Sequence, residues 1–254
     1  MTSTGLVRKD KMFFVGADVS KGRWLAVKLS EDPSWEIHLF GTISEIWDSY
    51  YAAKLILIDV PIGLREIGSE ERLCDKEARR LLGWPRRSSV FRVPCRAALE
   101  ASNYDNAKRI NMDKTGKSLS KQSWGIMPKI RDVDRFHNDN VTARIRIREI
   151  HPEICLWALN CRRPMKFNKK KCEGFLERMR VLRQVHEQAD EIVRSAIEKY
   201  KGRIACDDAV DALAAAVTAL LGRGRLLTIP EKRRVEGEVQ VIFHSILDRD
   251  SGRD

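Results

Sequence analysis

Four aspartates, Asp18, Asp59, Asp208 and Asp211, stand where a carboxylate is hard to accommodate. Asp18 closes the apolar run 13–19 and Asp59 follows the apolar run Leu55–Ile58. Asp208 and Asp211 lie near the start of a stretch otherwise built of alanine and leucine. A spacing of three residues puts those two on one face of a helix. An unpaired buried charge is too costly to persist, and carboxylates brought together raise one another's pKa. A divalent cation removes that conflict. Hard ions such as Mg²⁺ or Mn²⁺ take oxygen ligands. Two of them about 4 Å apart can activate an attacking water and stabilise a leaving oxygen in phosphodiester cleavage. Each acid also has a purely local reading. Asp18 can form an Asx turn before Ser20-Lys21-Gly22, and Asp59 can be a turn residue before Val60-Pro61. Asp207 and Asp208 suit a helix N-cap and first turn. The order is more specific than any one position: an acid after a first strand, one after a fourth strand, and a pair on a late helix.

The elements that must position these acids follow from periodicity and turn chemistry. Residues 13–19, 24–29 and Trp35–Phe40 read as strands joined by short turns, hence an antiparallel meander. Residues 43–51 have amphipathic helical spacing, and Leu55–Ile58 reads as a strand covered on both faces. A helix is expected over 69–83, with Ser69 as its cap, then a loop over 86–96 and a helix over 120–136. Arg144, Arg146 and Arg148 alternate with Ile145 and Ile147, which predicts a strand over 144–150 with one basic face. Helices are expected over Pro152–Leu159, over 172–200 (whole or broken) and over 207–221, and an edge strand over 238–244. With no internal repeat and no low-complexity linker, the expectation is one α/β domain over 1–254. It has a large helical insertion at about 64–144 and a C-terminal extension over 224–254.

The chain of 254 residues has a net charge of +11, which points to an anionic partner. No apolar run approaches the length of roughly 20 residues that a membrane span needs, and the first twelve residues lack the apolar core of a signal peptide. Six scattered cysteines without a CxxC pair favour reduced thiols and a cytoplasmic location. Cys155, Cys161 and Cys172 beside His151 lack convincing zinc spacing. Glu149, His151 and Glu153 follow a predicted strand, where ligands of α/β sheets gather. Glu149 or His151 could therefore serve as a further carboxylate or a proton shuttle, or Pro152 and Glu153 could simply start a helix. Lys21 could contact a phosphate, or be an ordinary turn lysine. Ser88, Ser89, Arg92 and Arg96 make a loop suited to phosphate oxygens, or one that only bridges the insertion to the core. The basic excess is concentrated in three segments: 79–96, 108–131 (which includes Lys121) and 161–183. Trp84, Phe91, Trp124 and Phe167 are interleaved with them, which favours nucleic-acid contact over a merely solvated face.

The order of acids resembles that of the RNase H-like superfamily. Asp208-Ala209-Val210-Asp211-Ala212-Leu213-Ala214 is similar to the last helix of its RuvC-type resolvase branch. A closer resemblance is to the domain-of-unknown-function family 429, described as predicted RNase H-like nucleases. Its hallmarks stand here as Val15-Gly16-Ala17-Asp18-Val19-Ser20-Lys21-Gly22, Ile58-Asp59-Val60-Pro61-Ile62-Gly63-Leu64 and Ser88-Ser89-Val90-Phe91-Arg92-Val93-Pro94-Cys95-Arg96. Others are Ser120-Lys121-Gln122-Ser123-Trp124-Gly125-Ile126, Glu149-Ile150-His151-Pro152-Glu153 and the stretch 207–216. The resemblance implies an α/β fold with an RNase H-like core: a mixed five-stranded sheet, flanking helices and a large helical insertion. It implies that Asp18, Asp59, Asp208 and Asp211 bind metal. The shorter Asp59 replaces a glutamate found in many superfamily nucleases. The expected activity is metal-dependent hydrolysis of DNA or RNA with Mg or Mn, and Asp18, Asp59, Asp208, Asp211 and Glu149 are the expected catalytic acids. Lys21, Ser88, Ser89, Arg92, Arg96 and Lys121 would hold nucleic acid. About five phosphate contacts would give a log–log salt slope of roughly −4 to −5. Two alternatives are an inactive nucleic-acid-binding scaffold of the same fold and a nucleotide phosphotransferase. The second lacks a glycine-rich phosphate loop and a duplicated domain.

Overall fold

The meander starts at β1 (Phe13–Ser20), which turns through Lys21 and Gly22 into β2 (Arg23–Ser30). Both turn residues have positive φ, 47° and 77°, as a tight two-residue hairpin requires. β3 (Trp35–Phe40) pairs antiparallel with β2. Thr42 then caps α1 (Ile43–Tyr50), its hydroxyl accepting from the Glu45 amide at 3.2 Å. β4 (Leu55–Ile58) runs parallel to β1. The structure, a computed structural model, describes residues 12–223, 225–231 and 242–244.

The long connection after β4 holds α2 (Leu73–Arg86, with non-helical backbone at Gly83 and Trp84), α3 (Tyr104–Thr115), α4 (Lys121–Asp139) and α5 (Val141–Arg146). It returns to β5 (Ile147–Glu149), parallel to β4. Next come α6 (Pro152–Leu159), α7 (Cys172–Arg183), α8 (Ala189–Lys199) and α9 (Cys206–Gly222). A small antiparallel pair, β6 (Leu227–Ile229) and β7 (Ile242–His244), follows. The protein is thus α/β, with a mixed five-stranded sheet in the order β3-β2-β1-β4-β5.

Alternation along the strands divides the core between two faces. Phe14, Leu25, Val27, Leu55 and Leu57 pack with residues of α6 to α9. Val15, Ala17, Ala26, Ile56 and Ile58 pack on the other face with α1 and the helices of the long connection. α9 crosses the sheet at very short range. A Cβ on Gly16 would lie 2.0 Å from the Ala216 amide nitrogen and 2.5 Å from the Ala212 carbonyl oxygen. Glycine in the strand, with Ala212, Ala215 and Ala216 in the helix, is what lets the two backbones touch.

Several expected elements differ. The strand expected over 144–150 is helical to Arg146 and extended only from Ile147. Arg144 and Arg146 donate to the carbonyls of His137 and Tyr51, so they do not form a free basic strand face. The stretch 172–200 is two helices. The helix expected from Ser69 starts at Leu73. α3 was not expected; Asn103 caps it and Gly116, at φ 66°, ends it. Of the edge strand expected over 238–244, Ile242–His244 is extended and 238–241 lie outside the described residues. No helix among the described residues is long and apolar enough to cross a membrane.

Candidate active site

The carboxylates meet because of strand register. Asp18 shares the α9-facing side of β1 with Phe14 and Gly16, and Asp59 continues the same side beyond Leu55 and Leu57. The Asp59 amide donates to the Ala17 carbonyl at 3.1 Å, so the two acids are neighbours at the ends of adjacent parallel strands. The close Gly16 crossing brings the first turns of α9 over those strand ends, which delivers Asp208 and Asp211. Ser20, fully buried, accepts from the Ala205 amide at 3.0 Å and bonds to Asp208, which fixes the start of the helix.

Asp18 and Asp211 are only 5% and 3% exposed. Burial holds the Asp18 carboxyl well above the usual range, and Asp59, Asp211 and Asp208 push it further. Burial likewise raises Asp59 to about 6, with Asp211 and Asp208 adding and His151 and Lys169 opposing. Asp208 is also raised, by burial first, while its bond to Ser20 opposes. The mutual repulsion shows that the four acids form one electrostatic unit. Its counter-charge is Lys169, on the loop before α7. The Lys169 ammonium lies 2.5 Å from Asp211 Oδ2 and 3.5 Å from Asp207 Oδ2.

A cleft of about 350 Å³ opens at one side of this unit, lined by Asp59 and Asp211 but not by Asp18 or Asp208. Asp59, Asp211, His151 and Lys169 line it together with Arg86, Ser88, Ser89 and Gln122 of the long connection. Arg86 also reaches the Phe167 carbonyl at 3.3 Å and so ties the two rims. Trp84, two residues before Arg86, is 81% exposed.

The other expected contact residues are each engaged within the protein. Lys21 donates to the Gly202 carbonyl at 2.7 Å, Arg92 pairs with Glu71 at 2.5 Å, and Arg96 pairs with Glu66 and Asp134. Lys121 stacks its ammonium 3.8 Å from the Tyr104 ring centre. The Ser88 and Ser89 hydroxyls line the cleft but already donate to the Pro85 and Arg86 carbonyls, at 3.0 and 2.8 Å.

Glu149 is not a further acid of the cluster. It pairs in register with Ile58 and shares the side of β5 occupied by Ile147, which faces the long connection and not α9. There Arg72 grips it with two nitrogens, at 2.6 and 2.8 Å, and the Ile62 amide donates at 2.6 Å. The same guanidinium holds Asp75, so this buried network anchors the start of α2 to the sheet. Glu153 is likewise engaged, by the buried Arg178 of α7.

Among the described residues, no group of three or more His, Cys, Asp and Glu side chains is gathered as a ready metal cage. The donor chemistry nevertheless fits a hard divalent cation. All four donors are carboxylates, their negative charge is in excess, and a cation already contacts one of them.

The profile of a family described as "Protein of unknown function (DUF429)" matches residues 16–234. The chain belongs to this family. No curated protein and no solved structure matches it. The DUF429 match spans all four aspartates and the cleft walls. Within this DUF429 chain, sequence reasoning missed Lys169, Arg72 and Arg178. Lys169 and Arg178 lay in the basic segment 161–183 and Arg72 followed two glutamates, and nothing local singled any of them out.

Proposed function

We propose that this protein is a metal-dependent nuclease with an RNase H-like core, acting on phosphodiester bonds of DNA or RNA. The observation that carries the reading is the convergence of strand-end and helix carboxylates at a cleft whose lining also holds cationic and polar groups. Asp18, Asp59, Asp208 and Asp211 would hold Mg or Mn. When bound, the metal supplies Lewis-acid activation of water and neutralises charge on the phosphate. The chain's own groups do the rest. Arg86 and Lys170 offer cationic donors to phosphate oxygens at the cleft, and the Gln122 amide adds a neutral one. His151 lines the cleft with Asp59 and would offer an imidazole nitrogen as proton donor to the leaving 3′ oxygen. Outside the cleft lining, the exposed Trp84 offers a stacking face for bases.

The test is cleavage of a panel of single- and double-stranded DNA and RNA with Mg²⁺, Mn²⁺ or Ca²⁺, comparing the wild type with Asp18→Asn and Asp208→Asn. Cleavage by the wild type with Mg²⁺ or Mn²⁺, lost in both variants, supports the reading. Equal cleavage by all three proteins overturns the site. Metal-independent binding without cleavage, unaffected by both changes, would instead favour an inactive nucleic-acid-binding scaffold.

A further inference from the structure

We infer that Lys169 is a built-in cation of the carboxylate site and that a divalent metal must displace it to bind. The inference rests on the metal reading above and adds its regulation by a residue of the chain itself. In a run of three lysines, Lys170 and Lys171 are exposed, whereas Lys169 turns inward and keeps only 32% of its side chain in solvent. Its ammonium reaches Asp211 at 2.5 Å and Asp207 at 3.5 Å.

The loop that aims it is constructed for the purpose. The Glu177 carboxylate accepts from the amides of Lys166 and Phe167, at 2.9 and 3.0 Å. The buried Arg178 donates to the Phe167 carbonyl at 3.1 Å. Asn168 accepts from the Lys170 amide through its side chain and from the Lys171 amide through its carbonyl, both at 2.9 Å. Helix α7 has a glycine where the loop passes: a Cβ on Gly174 would lie 2.0 Å from the Asn168 carbonyl oxygen. A surface lysine that meets an acid by chance needs none of this.

An ammonium is a compact point charge with three donors. Seated on Asp211, it partly neutralises the cluster and occupies the carboxylate that a metal would draw on. Metal binding is therefore an exchange of one cation for another, and removing the tethered cation should favour the free one.

The experiment titrates metal-stripped, full-length protein with Mn²⁺ alone by isothermal calorimetry, comparing wild type, Lys169→Met and Lys171→Met. The last removes the same charge from the same loop. Lys169→Met should bind Mn²⁺ about five- to tenfold more tightly, with Lys171→Met close to wild type. Equal tightening in both variants, or unchanged or weaker binding in Lys169→Met, overturns the inference and leaves the metal reading standing. Failure of all three proteins to bind Mn²⁺ overturns both. Should Lys169→Met not fold, Lys169→Gln carries the same measurement with a neutral hydrogen-bonding side chain.

Discussion

Replacing Gly16 by alanine should drive α9 off the sheet. The added methyl would sit 2.0 Å from Ala216 N, 2.5 Å from Ala212 O and 2.6 Å from Ala215 C. Ordinary contact starts near 3.4 Å, so one of the two backbones must retreat by more than an ångström. Neither has an easy way to do so. Gly16 lies on β1, the central strand of the sheet, between β2 and β4, and α9 is buried along most of its 17 residues. Overpacking of a core costs about 1–3 kcal/mol and occasionally more. With backbone on both sides, the upper end, about 3 kcal/mol, applies. For a chain of this size that lowers the thermal midpoint by roughly 6–12 °C. Circular dichroism melts and urea titration measure it. Gly125→Ala is the matched control, since Gly125 is exposed inside α4 and a Cβ there meets nothing within 4 Å. Alanine at that site should stabilise by about 0.5–1 kcal/mol. The two Gly-to-Ala changes thus carry opposite signs. A Gly16→Ala protein that melts with the wild type would refute the close crossing, and with it the route by which Asp208 and Asp211 reach Asp18.

Asp18→Asn should stabilise the metal-stripped protein by about 1 kcal/mol, because burial and three neighbouring carboxylates already penalise its charge; a lower midpoint in a chelator-treated melt would contradict the electrostatic account. Glu149→Gln should cost about 2–4 kcal/mol by leaving Arg72 short of a counter-charge, yet leave Mn²⁺ affinity measured on folded protein unchanged; a large loss of affinity would return Glu149 to the metal site. His137 is buried, and burial together with Arg144 and Arg148 lowers its pKa to about 4. Since its folded pKa lies below the ordinary value near 6.5, the stability it contributes is whole above that value and drains away as pH falls towards 4, by about 2–3 kcal/mol. His137→Leu should flatten that acid slope in urea titrations between pH 7 and 4, and an unchanged slope would show that other groups set it.

The strands of the meander, β4 and α9 were legible because their signals are local. Alternation, the Lys21-Gly22 turn and the Asp-x-x-Asp spacing each act within a few residues. α3 escaped because only four of its twelve residues are apolar, so its face carries little periodic signal. The strand expected over 144–150 failed because alternating arginines and isoleucines also suit a short helix whose arginines cap nearby carbonyls.

By itself, then, the sequence determined an α/β chain with acids at the ends of two strands and on one face of a late helix, and a large basic excess. The tertiary structure decided which acids meet. Side chains alternate along a strand, so the register between β4 and β5 sends Asp59 to the α9 side and Glu149 to the opposite one, and no composition can reveal that parity. The fold also chose one lysine from a basic run. Lys169 turns inward because Gly174, Glu177 and Arg178 shape its loop, and those contacts exist only once α7 has packed.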